Sequence, residues 1–344
     1  MQVRLGFLEK DDLDVAEKLI EQFFSTRNKD FNSLRAIEKQ CLPEDFNLDN
    51  YLVISIGATD LYAVMRFKRR NMIINGNSTD SAIGTDFIVN AMHPLYSTAN
   101  NLQATKMIND KLASLVPGIV LGDARRELGN YLTKFGYFSI GNYVCAEVEN
   151  LRLQKTQSKS LEFHEFSIKS VIPNFLALKN RAESQNSLRI VRPDGGWVYI
   201  ARCAAYLKGY RLFMLKDDMR ISSYLIVNSA NEIIEFGLDE DLDLRLSLQN
   251  LMAREGISRI RLDLNNKIYS YLYNLDFKIT FRVLRGKGEV ARLGYSLAQQ
   301  HSEVFFKTDP AKNQLALPSN LFSHKKSITD TFYSSAAISQ FDWI

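Results

Sequence analysis

Two stretches of this chain decide its fold, KMINDKLASLVPGIVLGDARRELGNYLTKFGY at residues 106–137 and LSLQNLMAREGISRIRLDLNNKIYSYLYNLDF at residues 246–277. They align without a gap, and the identical pairs include Asp123 with Asp263 and Tyr131-Leu132 with Tyr271-Leu272. Each stretch predicts a helix, a break with glycine, a β-rich strand, a second helix and a further strand. This order indicates a duplicated unit, although any two strand–helix–strand units share part of the pattern.

The composition is that of a globular chain long enough for two cores. Of 344 residues, 46% are apolar and 24% are charged, and the formal net charge is only +4. This dispersed charge does not predict nucleic-acid binding. Cys41, Cys145 and Cys203 are far apart and the four histidines are scattered, so we expect no disulfide framework and no metal site. No signal-peptide core or long apolar run is seen, which predicts a cytoplasmic protein outside the membrane.

The pattern along the chain divides it into three parts. A helix is predicted at 11–27, two strands at 51–67, a hairpin tip at 75–77 and a strand at 84–94 that ends at Pro94. The second half repeats this plan, with two strands predicted at 209–228, a strand at 231–238 and a helix at 244–256. We place the first domain at 1–155, the second at 156–300 and a tail at 301–344, and the aromatic residues at the end of the tail predict that it docks on the body.

Two motifs resemble those of the GNAT superfamily of acyl-CoA-dependent N-acyltransferases. HPLYSTANNLQATKM at 93–107 is similar to the strand-to-helix segment of that family, and NYLTKFGYF at 130–138 is similar to its late-helix signature. The resemblance spans both halves. It implies an α/β (α+β) fold with two tandem GNAT-like domains, each a mixed, mostly antiparallel sheet flanked by helices.

The resemblance also implies a site for acetyl-CoA or another acyl-CoA in the first half. A helix N-terminus offers unpaired N–H groups to a pyrophosphate, and glycines let the backbone approach it. Here Ser97 replaces the family's Arg or Gln, and Thr98, Asn100 and Leu102 replace its glycines. The predicted donor-binding residues are Ala91, Met92, Ser97, Thr98, Ala99, Asn100, Asn101 and Leu102.

The equivalent turn of the second half is acidic. Asp239-Glu240-Asp241-Leu242-Asp243 contains four acids, which would repel a pyrophosphate more strongly than a helix dipole attracts it. We therefore expect the second domain not to bind coenzyme A.

Three side chains are candidates for acid–base chemistry. The family often has a general acid Tyr four residues before the late-helix glycine, and Leu132 occupies that position here. Tyr131 lies one residue away, so it could act as the acid or pack on the sheet. Glu235 lies on the predicted central strand of the second half, where it could serve as a base or lie at an exposed edge. His93 could act as a base, but we expect a structural role.

The resulting functional prediction is transfer of an acyl group from coenzyme A to a primary amine of a small molecule or sugar. Two alternatives remain open at this point. One is a catalytically inert GNAT-like protein that binds a ligand or partner, and the other is an acyltransferase that uses a carrier-protein thioester or aminoacyl-tRNA. The expected partner is a small-molecule amine acceptor, and a homodimer is a further option.

Overall fold

A computed structural model describes most of the 344-residue chain. The described residues are 3–26, 28–57, 60–74, 76–125, 137–139, 144–149, 161–168, 174–184, 188–217, 220–239, 243–262, 266–272, 278–283, 290–295 and 336–337.

Strands of the described ranges form two sheets. The first contains β1 (Val3–Phe7), β2 (Tyr51–Ile56), β3 (Asp60–Ile74), β4 (Asn77–Val89), β5 (Val120–Arg125), β6 (Phe138–Ser139), β9 (Leu188–Ile190), β15 (Val290–Tyr295) and β16 (Ala336–Ala337). The second contains β7 (Val144–Glu149), β8 (Phe163–Phe166), β10 (Arg211–Asp217), β11 (Arg220–Val227), β12 (Glu232–Leu238), β13 (Arg259–Ile260) and β14 (Lys278–Val283).

Helices flank both sheets. They are α1 (Leu13–Ser25), α2 (Phe31–Cys41), α3 (Thr98–Leu115), α4 (Phe175–Ala182), α5 (Gly196–Leu207), α6 (Arg245–Glu255) and α7 (Ile268–Leu272), with short 3₁₀ turns at Lys10–Asp12, Pro43–Phe46 and Leu48–Asn50. In the described ranges, no helix is long and apolar enough to cross a bilayer.

Seven strands of each sheet follow the same plan, in which β7 and β15 exchange sheets, and the first sheet gains β9 and β16 from residues after 155. The first sheet runs β1-β2-β3-β4-β5-β15-β6, with β9 added beside β3 and β16 beside β9. The second runs β8-β10-β11-β12-β13-β7-β14. Thus β7 precedes the predicted boundary at 155 but lies in the second sheet, whereas β15 follows the boundary and lies in the first. The boundary stays a prediction, and the segments on its two sides interlock.

The first sheet is covered by a different helix on each face. Side chains alternate along β3, as in any strand. Val64 belongs to the core that includes Ala16 and Ile20 of α1. Met65 and Phe67 belong to the core that includes Ile108 and Leu112 of α3. Arg66 and Lys68, the next even-numbered residues after Val64, lie on the α1 side of the sheet and contact Glu38 of α2.

Many predicted elements are confirmed. The structure has the predicted first helix, the hairpin of β3 and β4, and in the second half β10, β11, β12 and α6. Gly76 forms the tip of the hairpin with a φ of +85°, a conformation that glycine adopts at no steric cost. Mixed sheets flanked by helices agree with the predicted fold class.

The predicted strand at 84–94 is wrong at its end. β4 ends at Val89, and Ala91 and Met92 lie in the turn that follows. The carboxamide of Asn90 closes this turn, because its Oδ1 accepts the Met92 N–H at 3.0 Å while its backbone oxygen accepts the His93 N–H at 3.1 Å. Met92 is left 91% exposed.

Candidate functional site

An opening splits the first sheet between β4 and β5. These parallel strands pair only at Ala82 with Val120 and Ile83 with Leu121. From Gly84 to Val89, β4 continues beside β3, and β5 pairs with β15 along its whole length. Beyond Ile83, the β5-facing edge of β4 has no strand partner among the described residues. In the second sheet, β12 and β13 likewise pair at only two positions.

The N-terminus of α3 lies just beyond this opening and carries the predicted donor loop. Ser97 is the N-cap, and its Oγ accepts the Asn100 N–H at 3.2 Å. The carbonyl of Ser97 accepts the Asn101 N–H at 2.9 Å. The carboxamide of Asn100 donates to the Leu95 carbonyl at 2.8 Å. The loop is thus held in a closed form by its own polar groups.

A second set of contacts fixes the loop to β3. The Tyr62 hydroxyl donates to Asn101 Oδ1 at 2.8 Å, and its ring meets the His93 ring edge-on. His93 Nδ1 accepts the Leu95 N–H at 3.1 Å, so Nε2 carries the proton that is shared with Asp60 Oδ2 at 3.0 Å. The predicted structural role of His93 has this physical basis, and its carboxylate partner is distant in sequence.

The predicted donor-binding residues have different environments. Ser97, Thr98, Ala99 and Asn100 are exposed at the start of α3. Leu102 is 9% exposed and packs in the core that α3 forms with the sheet. Ala91 and Met92 lie in the preceding turn. The late-helix candidate Tyr131 lies outside the described residues, and donor binding by any of these residues stays a prediction.

A cavity of about 180 Å³ lies on the opposite face of the sheet, between α2 and strands β3 and β4. The residues that line it are Asn28, Phe31, Leu34, Arg35, Glu38, Arg66, Thr85 and Asp86. Thr85 and Asp86 belong to the part of β4 that has parted from β5. The cavity and the α3 loop therefore approach the same opening from opposite faces.

Asp86 occupies a bulge in β4 and holds two arginines. The register against β3 shifts between Val64 and Arg66, and Asp86 has a φ of +47°. Asp tolerates this left-handed region better than most residues do, and such conformations cluster at functional sites. Asp86 Oδ2 accepts from Arg66 Nε at 2.7 Å and also from Arg35 Nη1. Oδ1 makes no hydrogen bond with the described residues.

Further ion pairs surround this contact. Arg35 also donates to Glu17 at 2.7 Å and 3.3 Å, and Tyr51 donates to the same carboxylate at 2.7 Å. Glu38 accepts two bonds of 3.0 Å from Arg66 and one contact of 2.7 Å from Lys68. We call Glu17, Arg35, Glu38, Arg66, Lys68 and Asp86 the ion cluster.

Burial and charge shift the pKa values in the ion cluster. Burial opposes ionisation of Glu38, but Lys68 and Arg66 outweigh it and lower the pKa of that carboxyl to about 2. Burial lowers the pKa of Lys68, although Glu38 acts in the other direction. Burial and the neighbouring Glu17 raise the pKa of Tyr51. Glu38 is therefore a fixed anion at neutral pH.

Glu235, the candidate base of the second half, is buried rather than at an exposed edge. Its side chain is 1% exposed, and both oxygens accept from Arg192, at 3.0 Å and 2.8 Å. The Tyr224 hydroxyl donates to Oε1 at 2.9 Å. The Tyr224 ring lies so close to Gly237 that a Cβ there would meet it at 2.1 Å. An aromatic ring thus fills space beside β12, and the base role of Glu235 stays a prediction.

Sequence reasoning missed Asp86 and the cavity. Asp86 follows Gly84-Thr85 inside a run that predicts a buried strand, and an acid there was a usable signal. The arginines that neutralise it come from β3 and from α2, a helix that the sequence analysis did not predict. Among the described residues, no group of three or more His, Cys, Asp or Glu side chains is arranged to hold a metal ion.

Comparison with solved structures identifies the fold. No protein-family model matches the sequence, and no curated protein matches it either. The GCN5-related N-acetyltransferase from Anabaena variabilis is similar over 85% of this chain and 72% of its own length, with 11% identity and a TM-score of 0.56. The GCN5-related N-acetyltransferase from Kribbella flavida is similar over 85% of this chain and 70% of its own length, with 12% identity and a TM-score of 0.53. Eis1 from Mycobacterium abscessus is similar over 85% of this chain and 73% of its own length, with 13% identity and a TM-score of 0.54.

The chain therefore has the fold of the GCN5-related N-acetyltransferases, in agreement with the resemblance that the sequence carries. Identities this low establish the fold, and the chemistry has to be argued from the residues of the site.

Proposed function

We propose that this protein is an acyltransferase that moves an acyl group from coenzyme A to the primary amine of a small molecule. The observation that carries the proposal is the opening between β4 and β5, with the α3 N-terminus on one face and the Asp86 cavity on the other. A thioester laid in this opening would be accessible to an acceptor held in the cavity.

The donor would use the exposed start of α3. The backbone N–H groups of the first helical turn and the helix dipole attract the pyrophosphate of coenzyme A. Ser97 already caps Asn100, so a phosphate must bind beside this cap or displace it. We expect weaker donor binding than a glycine-rich loop would give.

The acceptor would meet Asp86. Its Oδ1 can bind the ammonium form of an amine and take up one proton, which leaves a neutral nitrogen. That nitrogen attacks the thioester carbonyl carbon, so that the C–N bond forms and the C–S bond breaks. The thiolate leaves with the second proton that the nitrogen loses. Backbone N–H groups of β4 beyond Ile83, where pairing with β5 has stopped in the described part of the chain, would stabilise the oxyanion.

We further propose that the two sheets arose by duplication and that only the first retains the reaction. The shared strand order supports duplication. The filled space beside β12 and the acidic turn at 239–243 support a second half that does not bind coenzyme A.

Donor binding is testable by thermal shift with acetyl-CoA and with longer acyl-CoAs. Ala99 is exposed in the first turn of α3, so Ala99→Glu adds a negative charge without removing a side-chain hydrogen bond. An acid at this position favours the helix itself, so the fold is not weakened. We expect the variant to bind the donor roughly tenfold more weakly, because its charge repels the phosphates.

Ala99→Gln is the matched control, because it has nearly the same shape and no charge. It should bind the donor like the unmodified protein. No shift at millimolar acyl-CoA in the unmodified protein would contradict coenzyme A as the donor. It would favour a carrier-protein or aminoacyl-tRNA donor, or an inert protein.

A further inference from the structure

Among the described residues, the charges of the ion cluster beside the cavity balance. The ion cluster contains three cations, Arg35, Arg66 and Lys68, and three carboxylates, Glu17, Glu38 and Asp86. All six side chains are at most 21% exposed. A buried site of zero net charge resists a ligand that brings a net charge, because one uncompensated ion would then be buried. It accepts a ligand whose own charges cancel.

From this balance we propose that the cavity binds a small zwitterion, an amino acid with a free ammonium and a free carboxylate. The inference rests on the proposed function in one respect only: it names the class of the amine acceptor. Binding of the zwitterion itself depends on the cavity alone.

One side of the cavity can receive the ammonium. Both arginine contacts to Asp86 use Oδ2, and Oδ1 makes no bond with the described residues. Asp86 lines the cavity and its side chain is 10% exposed. A carboxylate oxygen has two acceptor sites, so Oδ1 can accept two N–H bonds from an ammonium. The Thr85 hydroxyl, which donates to the Arg66 carbonyl, is a second oxygen on the same wall.

The other side can receive the carboxylate. A guanidinium has five N–H groups. Arg66 uses three of them, one on Asp86 and two on Glu38. Arg35 uses four, two on Glu17, one on Tyr51 and one on Asp86. Three N–H groups of these two arginines therefore make no hydrogen bond with the described residues, and we place the ligand carboxylate on them, because hydrogen bonds between charged groups are the stronger kind.

The size of the cavity limits the ligand. Its volume of about 180 Å³ is below the roughly 300–1,000 Å³ of ordinary drug-sized sites. The side chains of Leu34 and Phe31 form an apolar part of the cavity wall beside the charged groups. An amino acid with a modest side chain matches this combination, whereas a polyamine or an aminosugar brings net charge or more volume.

The test is a binding series on the unmodified protein, without any donor. The standard amino acids are screened by thermal shift, and the best binder is titrated by calorimetry beside its methyl ester and its deaminated acid. Each analogue keeps one charge and loses the other. We expect both analogues to bind roughly tenfold more weakly than the amino acid.

Two results would overturn the proposal: no standard amino acid binds, or the methyl ester binds as tightly as the free amino acid. A tight ester would mean that the cavity recognises the amine alone. The donor measurement with acetyl-CoA is independent of this series. If acetyl-CoA stabilises the protein but no amino acid binds, the zwitterion proposal is wrong and the acyltransferase proposal stands. If an amino acid binds but acetyl-CoA does not, the zwitterion proposal stands and coenzyme A is not the donor.

Two variants test whether Asp86 binds the ammonium group of the amino acid. Asp86→Asn keeps a residue that tolerates positive φ, and Glu17 and Glu38 still pair the arginines. It should lower the affinity for the amino acid, whereas the affinity for the deaminated acid should not fall, because the ion cluster then carries one net positive charge. Asp80→Asn lies on the same strand at an exposed position and should change neither affinity. Equal loss for both ligands in Asp86→Asn would contradict this assignment.

Discussion

Glu38 binds two cations on the face of the first sheet that α2 covers. Its carboxylate contacts Lys68 at 2.7 Å and Arg66 at 3.0 Å, with a side-chain exposure of only 5%. A buried ion pair of this kind contributes little when it is intact, because desolvation offsets the attraction. Removal of one partner is costly, since the other charges stay buried.

Protonation of Glu38 at low pH should lower the free energy of unfolding. The folded protein holds the pKa of Glu38 at about 2, below its ordinary value of 4.5, so the stabilisation is complete above pH 4.5 and is lost as the pH falls to about 2. Relative to the protonated carboxyl, the ionised form therefore adds on the order of 3 kcal/mol to the free energy of unfolding. We expect Glu38→Gln to lose that amount or more at neutral pH, and to show a weaker pH dependence between 4.5 and 2, in urea unfolding curves.

Glu9→Gln is the control for this experiment. Glu9 pairs with Arg4 on the surface, where the two side chains are 59% and 62% exposed. Exposed pairs contribute about 0–1 kcal/mol, so this variant should unfold like the unmodified protein. If Glu38→Gln and Glu9→Gln behave alike, the ion cluster does not hold the sheet and α2 together.

At the scale of elements, α2 and α5 connect the cavity to the second half of the chain. Leu34 and Leu42 share a core cluster with Tyr199 and Cys203 of α5, and Arg202 donates to Gln40 at 2.7 Å. The two backbones lie close together at Gly195, where a Cβ would lie 2.4 Å from the Cys41 carbonyl oxygen. The contact requires glycine at this position.

Gly195→Ala should therefore separate the two helices. Backbone on the opposite side cannot move like a flexible side chain, so we expect a loss of about 1–3 kcal/mol in the free energy of unfolding. Gly122→Ala in β5 is the matched control, because a Cβ there meets nothing within 4 Å. Unfolding midpoints that are the same for both variants would mean that this contact does not limit the packing of α2 on α5.

The sequence predicted elements where the pattern is local. The hairpin tip at Gly76, strands β10 to β12 and helix α6 follow from turn residues and apolar periodicity. The strand end at Val89 does not, because the Asn90 carboxamide stops β4 through a side-chain bond that periodicity cannot show. The cavity could not be predicted either, since Arg35, Arg66 and Asp86 meet only after α2 packs on the sheet.

At the scale of the whole molecule, the exchanged strands join the two halves. Val144–Glu149 of β7 pair along their full length with Lys278–Val283 of β14. In return, Val290–Tyr295 of β15 pair with β5 of the first sheet. The overlay of residues 106–137 on 246–277 predicted two similar units, but sequence similarity carries no information on which sheet a strand joins.

Because each sheet contains a strand from the other half, we expect neither half to complete its sheet alone. Segments 1–155 and 156–344, expressed together as separate chains, should purify as a one-to-one complex. Ala146→Pro should abolish the complex, because Ala146 lies between β13 and β14 and proline removes a ladder N–H. Val3→Pro, at the start of the edge strand β1, should not. Two stable monomers that do not associate would contradict the exchange.

The most direct test of the central claim is a mass-spectrometric assay with acetyl-CoA and the best-binding amino acid, which follows thiol release and the N-acyl product together. We expect one thiol to be released for each N-acyl product formed. Asp86→Asn should lower the rate at least about 10²-fold without changing acetyl-CoA binding, and Asp80→Asn should leave the rate unchanged. Unchanged turnover in Asp86→Asn would contradict this claim, and so would thiol release without an acylated amine.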